Sequence, residues 1–373
     1  MAQVNLSSAS KKWRHPQRLA SLMLLLACTL PACAAAAKHG KKAVKVASTQ
    51  VVVPGPGYDQ RQDAMQAADD IAERQQLDRD WVRQTLGQAR YVAAIAKAVT
   101  PPAVGVAKNW QLYRSRFVEP LRIRAGVAFW QAHHETLQRA EQQTGVPAEI
   151  IVGVLGVETI YGQQTGNHRV IDALATLAFD FPASHPRATE RSAYFKTELE
   201  QFLGWAQRSG RDPLALKGSY AGAMGLPQFM PSSWVKYAVD FDGDGAVDLV
   251  GSPADAIGSV ANYLKAFNWQ PGLPTHFPLS FDASRLDMVT LMAPDILPTF
   301  SVAGFQDKGV VLTGEALAHP GKLALIELQN GDAPASYVAG TDNFYAITRY
   351  NWSSYYALAV IDLGQAVAQA MRP

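Results

Sequence analysis

The chain has 373 residues, 48% of them hydrophobic, and a formal net charge of +2. At that length and composition it can bury more than one core and should divide into two or three subdomains. The near-neutral balance excludes the basic footprint of a nucleic-acid binder, and equally a surface built for a strongly acidic partner.

Residues 1–33 read as an export signal, because Lys11, Lys12, Arg14 and Arg18 precede an apolar run from Leu19 to Leu30. The run is too short for a comfortable transmembrane span, and no later stretch replaces it. Cys28 and Cys33 both fall inside this leader, so the mature body carries no disulfide framework and no thiolate metal site. Leu30-Pro31-Ala32-Cys33 resembles the lipobox of bacterial lipoproteins, in which the cysteine becomes an acylated N-terminus. Ala34 after that cysteine points to the outer membrane under the usual sorting pattern. The alternative is ordinary cleavage within residues 32–36, which gives a soluble periplasmic protein. Residues 34–57, Ala-rich, then Lys-rich, then rich in Val, Pro and Gly, read as a tether.

Residues 58–145 are rich in Ala, Gln, Arg and Leu and read as a helical subdomain, with one long helix from Ala125 to Thr144. The next helix has marked ends: Gly145 precedes it, Pro147 suits its first position, Glu149 its first turn and Gly162 its C′ position. Gly153 and Gly156 lower helix propensity there and imply close contact with another element. Eight uncharged residues lead to Glu158, which shares a helical face with Ile151, Val154 and Leu155. Desolvation on such a face disfavours the charged form and raises a carboxyl pKa. An acid still protonated near neutral pH is what a glycosidic oxygen needs from a proton donor. The competing account is a buried structural glutamate tied to backbone or to an arginine.

Residues 146–270 alternate helical patterns with Gly-rich turns and read as a catalytic core. From 271 to 342 the texture changes to a small β-containing subdomain. Pro271, Pro274, Pro278, Pro294 and Pro298 punctuate it, and Leu323 to Leu328 alternates like a strand before an Asn330-Gly331 turn. Residues 343–373 form a C-terminal segment, helical from Ser353 to Met371. There are no internal repeats, and the fold class expected is mainly α with α+β character.

Within the core, residues 240–248 reproduce the first nine positions of an EF-hand loop. Asp240, Asp242 and Asp244 hold positions 1, 3 and 5, Gly245 the sharp turn, Ala246 a carbonyl ligand and Asp248 position 9. Position 12 is Gly251, so Asp255 is the candidate replacement; it also fits a capping box with Ser252 ahead of Pro253. A structural Ca2+ ion is expected here, since four carboxylates in nine residues repel one another unless a cation joins them. The rival account is a solvated acidic turn.

Several further blocks carry a resemblance. They are Gly153-Val154-Leu155-Gly156-Val157-Glu158-Thr159, Asp172 to Leu177, Gly218 to Ser233, Ala256 to Tyr263 and Asn343 to Asn351. In order and spacing the chain resembles the membrane-bound lytic murein transglycosylase B family over roughly residues 58–368. The resemblance implies a lysozyme-like helical core and cleavage of peptidoglycan between N-acetylmuramic acid and N-acetylglucosamine, leaving 1,6-anhydromuramyl ends. It implies that Glu158 is the single acid and base, with no cofactor for chemistry. It assigns substrate binding to Ser219, Gln228, Tyr263, Tyr350, Asn351, Tyr356 and Arg191. Taken as residues alone, Ser219 could cap a turn, Gln228 be a surface amide, the tyrosines be core and Arg191 be solvated. The partners implied are peptidoglycan glycan strands, an outer-membrane lipid anchor and proteins of cell-wall synthesis. A hydrolytic muramidase and a non-catalytic peptidoglycan-binding scaffold are the alternatives.

Overall fold

The computed structural model describes residues 55–100 and 108–372. The leader, the acylation candidate Cys33 and residues 34–54 of the tether lie outside the described residues. Helices dominate. The first six are α1 (Gln62–Gln75), α2 (Arg79–Gly87), α3 (Ala93–Ala98), α4 (Trp110–Arg114), α5 (Pro120–Ala132) and α6 (His134–Thr144). After α7 (Ala148–Thr159) come β1 (His168–Arg169), α8 (Val170–Phe179), α9 (Ala188–Ser209), β2 (Lys217–Gly218), α10 (Pro231–Tyr237) and α11 (Pro253–Ala266). The β-containing region holds β3 (His276–Pro278), β4 (Ser280–Phe281), α12 (Met288–Met292), α13 (Val302–Asp307), β5 (Val310–Val311), β6 (Ala324–Asn330) and β7 (Ala333–Gly340). Two helices close the chain, α14 (Asp342–Thr348) and α15 (Ser354–Ala370).

α7 is apolar all round and buried along nearly its whole length, the signature of a central helix. Its main neighbour is α15. The glycines explain how close the pair comes: a Cβ on Gly153 would lie 2.2 Å from the Val360 carbonyl oxygen, and one on Gly364 2.1 Å from that of Glu149. Serine, threonine and asparagine side chains start several other helices, Ser353 capping α15 through the Tyr356 N–H.

Three expectations about the helices are corrected. The single helix over Ala125–Thr144 is two, broken at His133 (φ −122°, ψ 24°). α5 packs on α7 and α15 while α6 packs chiefly on α11, so the chain bends between partners without a Gly or Pro to announce it. Pro147 occupies the cap of α7, one position earlier than expected. Its C-terminus is not set by Gly162 alone, because Ile160 and Tyr161 already take left-handed backbone, at φ 50° and 56°.

β3, β7 and β6 form an antiparallel sheet in that order, with Leu325 opposite Ala339 and Glu327 opposite Tyr337. β6 runs through Asn330, which pairs with Ala333, so the hairpin turn is Gly331-Asp332 rather than Asn330-Gly331. This sheet and α12–α13 bury their own apolar cluster, including Phe277, Leu291, Phe305, Val310, Leu323 and Leu325. The larger cluster draws on α1 through α11, α14 and α15, with α7 at its centre.

Candidate active site

The abrupt end of α7 presents Glu158. Left-handed backbone at two successive non-glycine residues, one of them β-branched, is uncommon and costs on the order of 1–3 kcal/mol per residue. Surrounding contacts hold it in place. Thr159 Oγ1 donates to the Leu226 carbonyl (2.8 Å) and accepts from the Gly162 N–H (2.9 Å), tying the helix end to the loop 218–229.

Glu158 is half-buried at its surface, and its carboxyl end is turned inward: Oε1 accepts a 2.6 Å hydrogen bond from the Tyr356 hydroxyl. Burial pushes its pKa up to about 7, against the Tyr356 hydrogen bond and the Arg122 charge, which both favour the anion. No carboxylate among the described residues contributes to that shift. Two acids that follow Glu158 in the chain, Asp172 and Asp180, are occupied elsewhere. Asp172 pairs with Arg169 (2.7 Å), while Asp180 takes Arg61 and the Tyr58 hydroxyl (2.6 Å each).

Tyrosines wall the carboxyl group. Tyr356, buried on α15, stacks on Tyr350 with ring centres 6.1 Å apart, and Tyr350 lies 4.7 Å from Tyr263. Tyr350 donates to the Pro227 carbonyl (2.9 Å) and Tyr263 to that of Arg349 (2.6 Å), so these phenols brace backbone while their rings line the wall. Buried Asn351 has an Oδ1 with no hydrogen-bond partner, an acceptor ready for a ligand donor.

The loop 218–229 holds the other expected residues. Ser219 Oγ accepts from the Ala221 (3.3 Å) and Ala223 (3.1 Å) N–H groups, so it caps its turn and keeps its own proton to donate. Gln228 is buried rather than a surface amide, with φ 50°. Its Nε2 donates to the Thr165 and Gly225 carbonyls (3.1 and 2.9 Å), which leaves it acceptor chemistry toward a ligand. Arg191 is not solvated. It is 6% exposed on α9, over the Tyr194 and Phe195 rings (5.2 and 5.3 Å to their centres) and within electrostatic reach of Tyr220 in the same loop. No described contact brings it to Glu158. Sequence reasoning missed two residues that face the acid: Tyr113 on α4 and Arg122 on α5. Neither lies in a motif, and only the packing of α4 and α5 against α7 and α15 reveals them.

The acidic loop gathers Asp240, Asp242 and Asp244, all exposed, with one oxygen of each within 4.8 Å of the others. Asp248 and Asp255, expected as ligands, stand outside that group. Asp248 accepts from the Val250 N–H (3.0 Å) and faces Arg211 at 3.5 Å. Asp255 is buried, accepting from the backbone N–H groups of Phe241 (2.7 Å), Asp242 (3.4 Å) and Asp248 (2.7 Å), and so braces the loop from inside. Ser252 Oγ accepts from the Asp255 N–H (3.2 Å) and so caps α11, but the reciprocal half of a capping box is not made, because the Ser252 N–H donates to the Asp248 carbonyl (2.9 Å). Ala246 donates its N–H to Asp244 (2.8 Å). Three hard oxygen donors at this spacing suit calcium, not a soft metal. A separate pocket of ≈390 Å³ opens at the far end of α7, beside Glu149, Trp269, His276 and Gln365, away from Glu158.

The chain is similar to proteins of known family and structure. The Transglycosylase SLT domain family matches residues 60–365. Membrane-bound lytic murein transglycosylase B of Escherichia coli K12 is 39% identical over 342 residues, 86% of each chain. The E. coli lytic transglycosylase SLT35, solved in complex with calcium, superposes with a TM-score of 0.74 at 39% identity, over 87% of this chain and 98% of that one. SltB3 of Pseudomonas aeruginosa, solved with NAG-anhNAM-pentapeptide, gives 0.65 at 29% identity, over 82% and 80%.

Proposed function

The chain belongs to the SLT transglycosylase family and is a peptidoglycan lytic transglycosylase with the lysozyme-like fold of SLT35, and from that premise we propose that Glu158 alone serves it as acid and base. The carrying observation is a carboxyl group with a pKa near neutrality, bonded to Tyr356, with no other carboxylate among the described residues acting on it. Protonated Glu158 gives its proton to the oxygen linking N-acetylmuramic acid to N-acetylglucosamine as the bond to the anomeric carbon breaks. The muramyl 6-hydroxyl then bonds to that carbon, and its proton passes to the Glu158 carboxylate. The glutamate ends as it began, one C–O bond has replaced another, and no water is consumed. A glycosidase that admits water uses two carboxylates flanking the bond, and among the described residues none besides Glu158 acts at this carboxyl group. The anhydro sugar named with SltB3 fits the same outcome.

The remaining roles follow from chemistry at each position. Asn351 Oδ1 and the Gln228 carbonyl accept from sugar hydroxyl or acetamido N–H groups, and Ser219 donates. Tyr263, Tyr350 and Tyr356 supply an apolar wall for pyranose rings. Arg191 serves peptide-stem carboxylates through its guanidinium edge. Calcium held by Asp240, Asp242 and Asp244, with Asp248 and the Ala246 carbonyl, stabilises the core and takes no part in the chemistry; the calcium complex of SLT35 supports the choice of ion. Asp255 closes that site by holding the loop backbone. Cys33 anchors an exported protein to the outer membrane, in keeping with a membrane-bound relative. No helix among the described residues is long and apolar enough to cross a membrane. Residues 58–145, 146–270, 271–342 and 343–373 act as helical support, catalytic core, β-containing cover and cleft wall.

The test is mass spectrometry of muropeptides released from purified sacculi. Wild type should yield anhydromuramyl ends and Glu158→Gln none, a loss larger than the roughly 10²–10⁴-fold of one proton transfer because both steps fail. Reducing ends would make the enzyme a muramidase. Strong glycan binding without cleavage by wild type would make it a scaffold.

A further inference from the structure

α7 ends with a carbonyl that the helix cannot satisfy. Because Ile160 and Tyr161 turn left-handed, the Ile160 N–H goes to the Gly156 carbonyl (3.2 Å) and the Tyr161 N–H reaches back to Leu155 (3.2 Å). The Val157 carbonyl, whose regular partner would be the Tyr161 N–H, is left over. Arg122 fills the gap from α5: its Nη1 donates to both the Gly156 and the Val157 carbonyls, the two residues ahead of Glu158. The guanidinium is itself held over the Phe117 ring, 5.2 Å from its centre. α5 is anchored one turn earlier, where the Glu119 carboxylate caps the N–H groups of Leu121 and Arg122 at 2.7 Å each.

We propose that Arg122 is a positioning residue for Glu158: its guanidinium clamps the last turn of α7 and supplies the positive charge the carboxylate meets as it ionises. This rests on the reading of Glu158 as acid and base. A single group that must first give and then take a proton needs both its forms within reach. Burial favours the neutral form. Phenols face the carboxyl from the other packed elements: Tyr113 on α4, Tyr263 on α11, Tyr350 after α14 and Tyr356 on α15. Burial raises the pKa of each, so they stay uncharged at neutral pH. Among the described groups acting on Glu158, Arg122 is the cation. Arginine suits both tasks, since a single guanidinium nitrogen on its long side chain reaches both carbonyls while its charge persists at any working pH.

Two substitutions in the full chain separate the tasks: Arg122→Gln keeps donors and loses charge, and Arg122→Lys keeps charge and loses the planar guanidinium whose Nη1 reaches the two carbonyls. The readouts are kcat, KM and the pH profile of kcat/KM for anhydromuramyl ends released from sacculi, with circular dichroism for folding. In Arg122→Gln the basic limb should move to higher pH by about half a unit or more, and kcat should fall about tenfold with KM changed less than about threefold. In Arg122→Lys the limb should stay where wild type has it while kcat falls. An unmoved limb in Arg122→Gln, an equal shift in both variants, or wild-type kcat in Arg122→Lys would overturn the proposal. Should Arg122→Gln not fold, Arg122→Lys decides: reduced kcat with the limb in place supports the clamp, and undiminished kcat rejects it. Wild-type enzyme that releases no anhydro ends would instead defeat the reading of Glu158.

Discussion

Glu158 shows how a common side chain acquires an uncommon proton affinity. Burial raises its pKa to about 7 from an ordinary 4.5, while the Tyr356 hydroxyl pulls the other way by stabilising the anion. Removing that hydroxyl should let the pKa rise further. Tyr356→Phe is therefore expected to shift the basic limb of the kcat/KM profile to higher pH, because the protonated form then persists further, and to lower kcat by weakening the base step. A limb that stays put would show that the 2.6 Å contact does not govern the acid. Stability carries the same sign. A carboxyl whose folded pKa exceeds its unfolded value contributes fully below the unfolded value, and that contribution is lost as pH rises through about 7. Glu158→Gln does not titrate, so its stability relative to wild type should grow between pH 4.5 and about 7, by roughly 1–3 kcal/mol. Urea unfolding of both proteins at the two ends of that window checks it, and parallel curves would refute the linkage.

Among the elements, the α7–α15 pair is the mechanical base of the site, since it carries Glu158 on one helix and Tyr356 on the other. Its closeness depends on glycine, with the Gly153 Cα facing the Val360 carbonyl. Alanine at that position would gain about 1 kcal/mol of helix propensity. It would also put a methyl group 2.2 Å from the Val360 oxygen, and one helix must then move. Gly153→Ala is expected to lose about 1–3 kcal/mol net, typical of overpacking, and to lose activity by separating Tyr356 from Glu158. Chemical denaturation measures the first effect and turnover the second. An unchanged midpoint would mean that the two helices yield without cost.

At the scale of the whole molecule, the proposed calcium ion and the proposed lipid anchor are tested apart from the reaction. A ligand that binds only the folded state stabilises it by mass action, about 2.7 kcal/mol at a hundredfold excess over its dissociation constant. Chelation should accordingly lower Tm while leaving room-temperature turnover nearly unchanged. Asp240→Asn should weaken calcium binding in calorimetry, and identical melting with calcium and with chelator would reduce the loop to an acidic turn. The anchor is tested by Cys33→Ala, which should move the protein from the membrane fraction to the soluble one without loss of activity. A mature N-terminus beyond Cys33, read by mass spectrometry, would reject acylation.

Glu158 stood out in the bare sequence because a charge on an apolar helical face conflicts with the pattern around it, and conflicts of that kind are local. Gly153 and Gly156 were legible as contact points for the same reason, and the alternation from Leu323 to Leu328 marked a strand that the structure carries two residues further, to Asn330. The acidic spacing from Asp240 to Asp248 was visible too, although only folding turned Asp255 inward to hold the loop backbone. The break at His133 could not be read, since it comes from two helices seeking different partners. The left-handed pair Ile160-Tyr161 was equally hidden, because neither residue type favours that backbone and only tertiary contacts hold it. The proton affinity of Glu158 belongs to this second class. Sequence supplied the carboxyl group and its apolar neighbours. Tyr356, 198 residues away, and Arg122 on a separate helix reach it only through packing, and a pKa is a sum over such neighbours in space.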